Sequence, residues 1–368
     1  MLKRAIMITL CLITGQTCMA RTLHKKFIEY GWDCPDTAFY RENHKEMEKI
    51  PFDGVVLRVM KLKEGAPPDT LGWTAFSKLK FQPQDYEHAI TDLKAVKSKR
   101  FTDNFIQVIG GGQVDWFDPE WPTITHNAAC LARVAKQGGC KGIMFDPEQY
   151  DKFRMWTYAT LPAELKDAHN YKEYQAKARE RGREFIRAIN KEFPDITILA
   201  LFGPSLTHLA TGAGRIEDAD YSLLAAFYDG ICEAATSNTT LIDGFEFAYS
   251  YRTPDKFAEG RKAILDSEKK SLNPKALRKH IRVGFGIWAD CSSLQLGWHP
   301  EDFTKNYYTP AGLRASLNYA LETSDCYVWV YSERLRWWDE VPAAEYVDAL
   351  RLAKTGPGPG EKNPLSLP

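Results

Sequence analysis

The chain has 368 residues, of which 44% are hydrophobic and 26% are charged. This composition is typical of a globular protein with a sizeable core. Its 48 Lys and Arg residues balance its 48 Asp and Glu residues, so the overall charge provides no attraction to nucleic acid or to an anionic membrane, and we expect no nucleic-acid partner.

The first 20 residues have a basic start, an apolar run and a small-residue end at Ala20. This order is typical of a secretory signal peptide (1–20), and we expect a secreted or periplasmic protein. A membrane anchor and a lipoprotein cleaved before Cys18 are the alternatives. No later apolar run is long enough to span a bilayer, so we expect no stable membrane insertion.

Eight runs after the leader have the composition and length of β-strands. They are KFIEYGWD (26–33), GVVLRVM (54–60), NFIQVIG (104–110), GIMFDPE (142–148), ITILALF (196–202), IDGFEFAY (242–249), IRVGFGIW (281–288) and CYVWVYSE (326–333).

Amphipathic stretches with apolar residues three and four positions apart lie between these runs, for example at 37–50, 85–98, 171–193 and 310–323. Eight strands that alternate with helices predict an α/β fold, a single-domain (β/α)8 TIM barrel over residues 21–354. An open doubly wound sheet is the alternative, but no GxGxxG or GxxxxGK follows the first strand. The Pro- and Gly-rich segment 355–368 predicts a flexible tail.

The cysteines after the leader are widely and irregularly spaced, without a CxxC pair, so we expect no zinc site. Export permits disulfides, and both bridges and buried free thiols are compatible with the sequence. They are Cys34, Cys130, Cys140, Cys232, Cys291 and Cys326.

The segment GIMFDPEQY (142–150) places two carboxylates at the end of the fourth strand. Side chains alternate along a strand, so if Ile143 and Phe145 face the helices, then Met144, Asp146 and Glu148 face the barrel interior. Active sites of such barrels lie at the carboxyl ends of the strands. We therefore expect Asp146 and Glu148 at the mouth of the barrel.

The same alternation predicts further charged groups in the interior or at the mouth. They are Asp33, Arg58, Glu246, Arg282, Asp290 and Glu333. An unpaired buried charge is costly, so these groups must pair with each other or bind a ligand.

Paired carboxylates are the groups that cleave glycosidic bonds, because one protonates the leaving oxygen while the other attacks or stabilises the cationic carbon. Glu148 is the predicted general acid, and Asp146 is its charge-tuning partner. Glu246 and Glu333 are alternative candidates for the nucleophile or base. The sequence thus predicts a glycoside hydrolase that acts on a poly- or oligosaccharide without a cofactor or metal.

The segment GIMFDPEQY resembles the strand-4 motif of family 18 glycoside hydrolases, the chitinase-like barrels, which ends in D-x-D-x-E. Asp146 and Glu148 match in register, whereas Met144 stands at the first Asp and Pro147 replaces an aromatic residue. The family is also similar in having a Tyr near strand 6 and a Trp in strand 8, where Tyr249 and Trp329 stand here.

The resemblance implies that Glu148 is the acid and that an N-acetyl group of the substrate attacks, with Asp146 stabilising the intermediate. A mechanism with Glu246 or Glu333 as a second catalytic carboxylate is the other assignment, and the sequence leaves both open.

Aromatic residues near the predicted strand ends support a sugar ligand, because flat rings stack on the apolar faces of pyranoses. We expect Trp116, Tyr249, Trp288 and Trp329 to line the sugar subsite with Asp33, Arg58 and Asp290. The rival interpretations are a non-catalytic sugar-binding barrel and a metal-dependent hydrolase or lyase. The sequence does not indicate an oligomeric state.

Overall fold

The structure of the protein, a computed structural model, describes residues 24–62, 69–150, 152–292, 296–338 and 342–356. The predicted signal peptide (1–20) and residues 357–368 of the predicted tail lie outside these ranges. In the part of the chain that the structure describes, no helix combines the length and apolarity needed to cross a bilayer.

The strands of the described ranges belong to one large parallel sheet and one small antiparallel hairpin, β3–β4. They are β1 (Lys26–Gly31), β2 (Gly54–Leu57), β3 (Met60–Lys61), β4 (Asp69–Thr70), β5 (Phe105–Ile109), β6 (Gly142–Asp146), β7 (Thr197–Ala200), β8 (Thr240–Asp243), β9 (Ile281–Val283), β10 (Phe285–Trp288) and β11 (Tyr327–Ser332).

The large sheet has the order β10-β11-β1-β2-β5-β6-β7-β8-β9. Its two end strands, β9 and β10, are separated only by Gly284, which donates a backbone hydrogen bond to Asp243 at the end of β8. The segment 281–288 therefore pairs with β8 through its first half and with β11 through its second half. The parallel sheet therefore forms a nearly closed barrel with eight strand positions, one of which is shared by β9 and β10.

The helices surround this barrel. They are α1 (Thr37–Met47), α2 (Leu71–Thr74), α3 (Glu87–Ala95), α4 (Trp121–Gln137), α5 (Ala163–Ala168), α6 (Tyr171–Glu192), α7 (Ser205–Thr211), α8 (Leu224–Ala234), α9 (Pro254–Lys270), α10 (Pro274–His280), α11 (Pro310–Thr323) and α12 (Ala344–Ala353). The predicted fold, a single-domain (β/α)8 barrel, is confirmed.

Two apolar layers follow from the alternation of side chains along the strands. Ile143 and Phe145 face outward and join the core between the sheet and the helices. Met144 belongs to a second cluster inside the barrel, where it packs with residues of neighbouring strands such as Phe105 and Leu199. Full burial of side chains of this size contributes roughly 1.5–3 kcal/mol each.

Capping residues define where several helices begin. Asn170 accepts hydrogen bonds from the first turn of α6, and the Glu173 side chain accepts one from the backbone N–H of Asn170, which completes a capping box. Thr253 and Thr309 cap α9 and α11, each just before a proline at the first helical position. A cap of this kind contributes about 1 kcal/mol.

The interpretation of 242–249 as one strand was wrong. The strand β8 ends at Asp243, and residues Glu246–Ser250 form a 3-10 turn. Phe245 between them has φ 42°, in the left-handed region, where a strand cannot continue. The alternation of Phe245 and Phe247 suggested a strand with both rings on one face. In the structure, the Phe245 ring lies in the core and the Phe247 ring is 45% exposed.

The structure corrects the expected position of Arg282 and decides the state of the cysteines, which the sequence left open. Arg282 is exposed at the amino end of the barrel, where its guanidinium donates to the Ile281 carbonyl, so it is not a partner for the acids at the mouth. The cysteines after the leader are free thiols, and all except Cys326 are buried.

Candidate functional site

Asp146 ends strand β6 and is 1% exposed. One carboxylate oxygen, Oδ1, accepts the backbone N–H of Glu148 at 2.9 Å, and Oδ2 accepts the Tyr150 hydroxyl at 3.0 Å. The strand thus delivers Asp146 to the carboxyl end of the barrel, as its position in the sequence predicted. The side chain is held by the residues that follow it in the same loop.

Burial raises the pKa of Asp146 to about 7, and the negative charge of Glu148 adds to this effect. The hydrogen bonds from the Glu148 backbone and from Tyr150 oppose it, because they favour the ionised carboxylate. Asp146 can therefore hold a proton at nearly neutral pH, which ordinary aspartates cannot do.

A run of three glycines after β5 explains how the loop of Glu148 fits against its neighbour. A Cβ atom on Gly111 would lie 2.4 Å from the backbone oxygen of Glu148, and one on Gly110 would meet the Phe145 ring at 2.6 Å. Gly110 and Gly111 therefore pack closely against β6 and the carboxylate loop, where a side chain would have no room, whereas Gly112 packs against Phe76.

Glu246 lies in the 3-10 turn after β8, which also contains Tyr249. Burial raises the pKa of Glu246 well above its usual range, and the charges of Asp146 and Glu148 raise it further. We call these three electrostatically interacting carboxyl groups, Asp146, Glu148 and Glu246, the acidic cluster. Because of these interactions, the three groups resist being ionised together.

An aromatic wall, formed by Tyr249, Trp288, Trp329 and Tyr331, stands beside this acidic cluster. The Tyr249 ring stacks on Tyr331 at 5.4 Å between centroids, and contacts Trp329 at 5.2 Å and Trp288 at 5.7 Å. Trp329 is fully buried and donates its ring N–H to the Gly244 carbonyl at 2.8 Å, whereas the ring N–H of Trp288 is buried and has no hydrogen-bond partner among the residues that the structure describes.

Glu333 and Arg58, two further charged candidates, lie at other strand ends. Glu333 accepts the Tyr331 hydroxyl at 3.2 Å, and burial raises its pKa. The Nε atom of Arg58 is buried and has no hydrogen-bond partner in the described part of the chain. Within the described residues, no carboxylate forms an ion pair with Arg58, so it does not neutralise the acidic cluster directly.

Two predicted ligand-binding acids hold the loop after β11 instead. Asp290 accepts the backbone N–H groups of Glu333, Arg334 and Leu335. Oδ2 of Asp33 accepts the backbone N–H groups of residues 337 and 338. Both carboxylates are buried, with exposures of 5% and 4%, and both bind backbone rather than facing an open cleft.

Asp243 has a similar structural role and was missed by the sequence interpretation. Its carboxylate, fully buried at the end of β8, accepts the backbone N–H of Ser205 at 3.1 Å and that of Phe245 at 3.2 Å. Burial raises its pKa to about 6. Its only sequence signal was an acidic residue at the end of an apolar run, which the overlong strand 242–249 concealed.

The expected contact between Trp116 and substrate is corrected by the structure. The Trp116 ring is fully buried, stacks on Trp121 at 5.0 Å and donates its N–H to the Met155 carbonyl at 2.6 Å. It fills the outer core between α4 and the loop after β6.

Other aromatic residues are exposed. Trp73 and Tyr150 are 46% and 52% exposed, and their rings lie 4.9 Å apart. Trp32, after β1, is 62% exposed and donates its ring N–H to the Tyr331 hydroxyl. Because Tyr150 also binds Asp146, the Trp73–Tyr150 pair is an accessible aromatic surface adjoining the acidic cluster.

No group of three or more His, Cys, Asp or Glu side chains in the described ranges is arranged to hold a metal ion. Among the acids of the cluster, Asp146 instead accepts hydrogen bonds from a tyrosine hydroxyl and a backbone N–H. Their arrangement suits proton transfer and stabilisation of a positive charge.

The chain matches no family model, and no curated protein matches it either. Solved structures that resemble it include a GH18 chitinase from Pseudoalteromonas aurantia, with 16% identity and a TM-score of 0.43, covering 89% of this chain and 99% of that one. A GH5-4 broad-specificity endoglucanase from Bacteroides salanitronis has 9% identity and a TM-score of 0.47, covering 90% and 93%.

A third similar structure is a 3-keto-D-glucoside 4-epimerase from E. coli, with 14% identity and a TM-score of 0.45, covering 90% of this chain and 99% of that one. The function is therefore inferred from the residues of the site alone.

Proposed function

We propose that the chain is a glycoside hydrolase that cleaves a poly- or oligosaccharide at the carboxyl mouth of its barrel. The observation that carries this proposal is the cluster of Asp146, Glu148 and Glu246 beside an aromatic wall. Glycosidic cleavage needs a proton donor, a carboxylate that stabilises positive charge, and a surface that binds the sugar ring.

Glu148 is the proposed general acid. Its side chain is partly exposed, so a glycosidic oxygen can reach it, whereas Asp146 behind it is buried. Asp146 is the proposed proton reserve, since burial keeps its pKa near neutrality. In this proposal, the partly exposed Glu148 contacts the leaving oxygen directly, while the buried Asp146 beside it keeps a proton in reserve.

Glu246 is the proposed second carboxylate, as nucleophile or base. In the free protein, burial and the neighbouring charges raise its pKa. Positive charge that develops on the sugar carbon in the transition state favours its ionised form, so its interaction with the substrate strengthens as the reaction proceeds. Glu333, bound to Tyr331, is the alternative for this role.

The sugar-binding surface is proposed to include the aromatic wall and the exposed pair Trp73–Tyr150. The exposed pair also favours a second candidate, a sugar-binding barrel without catalysis, because half-exposed rings bind pyranoses whether or not a bond is cleaved. The two functions differ in what removal of a carboxyl group does, which gives a direct test.

The test is a hydrolysis screen of a glycan panel with wild type, Glu148→Gln and Glu246→Gln. Glu322→Gln, on the exposed face of α11, is the matched control. We expect one class of glycan to be cleaved by wild type and control, and not by the two variants, which still bind it. Binding without cleavage by all four proteins would instead indicate the non-catalytic barrel, and inhibition by a chelator would indicate a metal-dependent enzyme.

We also propose that the protein is exported by residues 1–20. The support is the leader-like order of basic, apolar and small residues in the sequence. Expression of the full chain and sequencing of its mature N-terminus tests this proposal. We expect cleavage after about Ala20, and an intact N-terminus in the cytoplasmic fraction would contradict export.

A further inference from the structure

Arg58 follows strand β2 on the face of the strand that lies inside the barrel. Val56, two residues earlier, belongs to the apolar cluster inside the barrel, and side chains alternate along a strand. The backbone of Arg58 is fixed, because its N–H donates to the Pro35 carbonyl at 2.9 Å and the residue forms a bridge with Asp36. Its side chain is partly buried. The fold therefore holds a cationic group inside the mouth of the barrel.

The guanidinium of Arg58 has no partner among the residues that the structure describes. It forms no ion pair, side-chain hydrogen bond or cation–π contact there, and its Nε atom is buried. Its terminal amino groups are not buried, so a ligand can reach them. Arg252 also has a buried Nε atom without a hydrogen-bond partner, but its guanidinium lies 4.1 Å from the ring centroid of Tyr307. Arg58 lacks this compensation.

The carboxylates closest to Arg58 along the chain bind other groups. Glu29 accepts a tryptophan ring N–H at 3.1 Å, and Asp33 accepts two backbone N–H groups of the loop after β11. Asp36 accepts a backbone N–H of the first turn of α1 at 2.8 Å. A partly buried charge without a counter-charge is costly, so the position of Arg58 is explained if a ligand supplies the negative charge.

Two polar side chains on neighbouring strands connect Arg58 with the aromatic wall. The pairing of β2 with β5, continued by one residue, places Gln107 level with Arg58. Gln107 is 3% exposed, and its Nε2 atom donates to the Tyr30 hydroxyl at 3.4 Å. The Tyr30 ring lies 6.0 Å from Tyr331 of the aromatic wall, measured between centroids. Arg58 thus belongs to the same mouth as the proposed sugar-binding surface.

The chemistry of a guanidinium indicates which ligand fits. A guanidinium binds a carboxylate or a sulfate through two parallel N–H bonds, which supply both hydrogen bonds and the missing negative charge. A neutral hydroxyl group would accept a hydrogen bond but would leave the charge uncompensated. The ligand that fits Arg58 is therefore anionic.

We propose that Arg58 binds the anionic group of an acidic glycan, either the carboxylate of a uronic acid or a sulfate ester, an inference that rests on the proposed glycosidase function. The acidic cluster at the same mouth repels an anionic sugar unless a cation compensates for its charge. Arg58 provides this compensation, and so selects acidic glycans over neutral glycans with the same backbone.

The first test compares affinities for pairs of glycans that differ only in charge. The pairs are a uronic acid oligosaccharide with its methyl ester, and a sulfated oligosaccharide with its desulfated parent, measured by titration calorimetry. We expect wild type to bind the acidic member of one pair about tenfold or more tightly than the neutral member. Arg58→Met should weaken binding of this acidic member about 30-fold or more, and change the affinity for the neutral member by less than about threefold. The pair that responds distinguishes a carboxylate from a sulfate.

Arg282→Met is the matched control, because Arg282 is an exposed arginine at the amino end of the barrel. It removes the same charge, and we expect affinities within about twofold of wild type. Arg58→Lys keeps the charge without the two-pronged geometry, so it should lose less affinity than Arg58→Met. A preference for neutral glycans, an equal loss in Arg282→Met, or no binding of any acidic glycan would overturn the proposal.

The second test separates a ligand-binding arginine from one that stabilises the fold. Methionine keeps an apolar stem, and Arg58→Met removes an uncompensated charge, so the urea midpoint of the ligand-free protein should be unchanged or higher. A lower midpoint would show that the guanidinium has a structural role and would overturn the proposal. An acidic glycan that is bound through Arg58 but not cleaved would support the anion site while contradicting the glycosidase function.

Discussion

Replacement of Asp146 by Asn tests whether the acid at the end of β6 holds its proton because it is buried. Burial raises its pKa from 3.8 to about 7. The protonated form therefore contributes stability that is fully present below about pH 4 and is lost as the pH rises through about 7. Asn is nearly isosteric, can still accept the Glu148 backbone N–H, and has no charge at any pH.

The magnitude follows from the two pKa values. A shift of about 3 pKa units corresponds to about 4 kcal/mol as an upper limit. Between pH 5 and pH 8 the wild type should lose about 2.5 kcal/mol relative to Asp146→Asn, because up to about pH 7 the folded state still holds a proton that the unfolded state has lost. Urea unfolding of both proteins at pH 5, 6, 7 and 8 measures the difference.

Asp103→Asn is the control with the opposite sign. Burial alone would raise the pKa of Asp103, but hydrogen bonds from Lys26, Thr102 and Tyr327 outweigh burial and lower it. Its contribution to stability is lost only as the pH falls below about 4, so its difference from wild type should be constant between pH 5 and 8. A difference for Asp146→Asn that is also constant within about 0.5 kcal/mol would refute the buried, protonated Asp146.

Three further predictions concern the loops and the site. Asp290→Ala leaves three backbone N–H groups of the loop after β11 without their acceptor, so in a denaturation assay it should lower the free energy of unfolding by about 3 kcal/mol. The control Asp348→Ala removes an exposed ion pair and should lower it by less than about 1 kcal/mol. Trp73→Ala should raise KM about tenfold with kcat within about twofold, because a stacking ring binds substrate and transition state alike; a fall in kcat alone would contradict this role. The kcat/KM profile should have a limb near pH 7 that Asp146→Asn removes, and a limb that persists in the variant would assign it to another group.

The barrel was predictable because its strands repeat a strong local pattern. Ile143 and Phe145 alternate with Met144 and Asp146, and this period of two decides which side chains enter the core. The same pattern gave a wrong prediction at residues 242–249. Phe245 and Phe247 alternate as in a strand, but the backbone of Phe245 is in the left-handed region, where a strand cannot continue. A backbone angle set by tertiary packing leaves no signal in the alternation.

The candidate site was only partly predictable, because an acid at a strand end looks the same whatever it binds. Asp146 is in an acidic cluster, whereas Asp33, Asp243 and Asp290 accept backbone N–H groups of loops. The loop that Asp33 and Asp290 bind is distant from both residues in the sequence, so only the folded structure shows which backbone N–H groups they bind. Tyr150 was in the quoted motif, but its bond to Asp146 required the loop geometry.

The most direct test of the proposed glycosidase is the ratio of kcat/KM for wild type and Glu148→Gln on a glycan that both proteins bind, measured at one pH. Loss of a general acid should lower kcat/KM by about 100-fold or more while the binding affinity stays within about threefold. A variant that cleaves the glycan within about threefold of the wild-type rate would contradict the assignment of Glu148 as the acid.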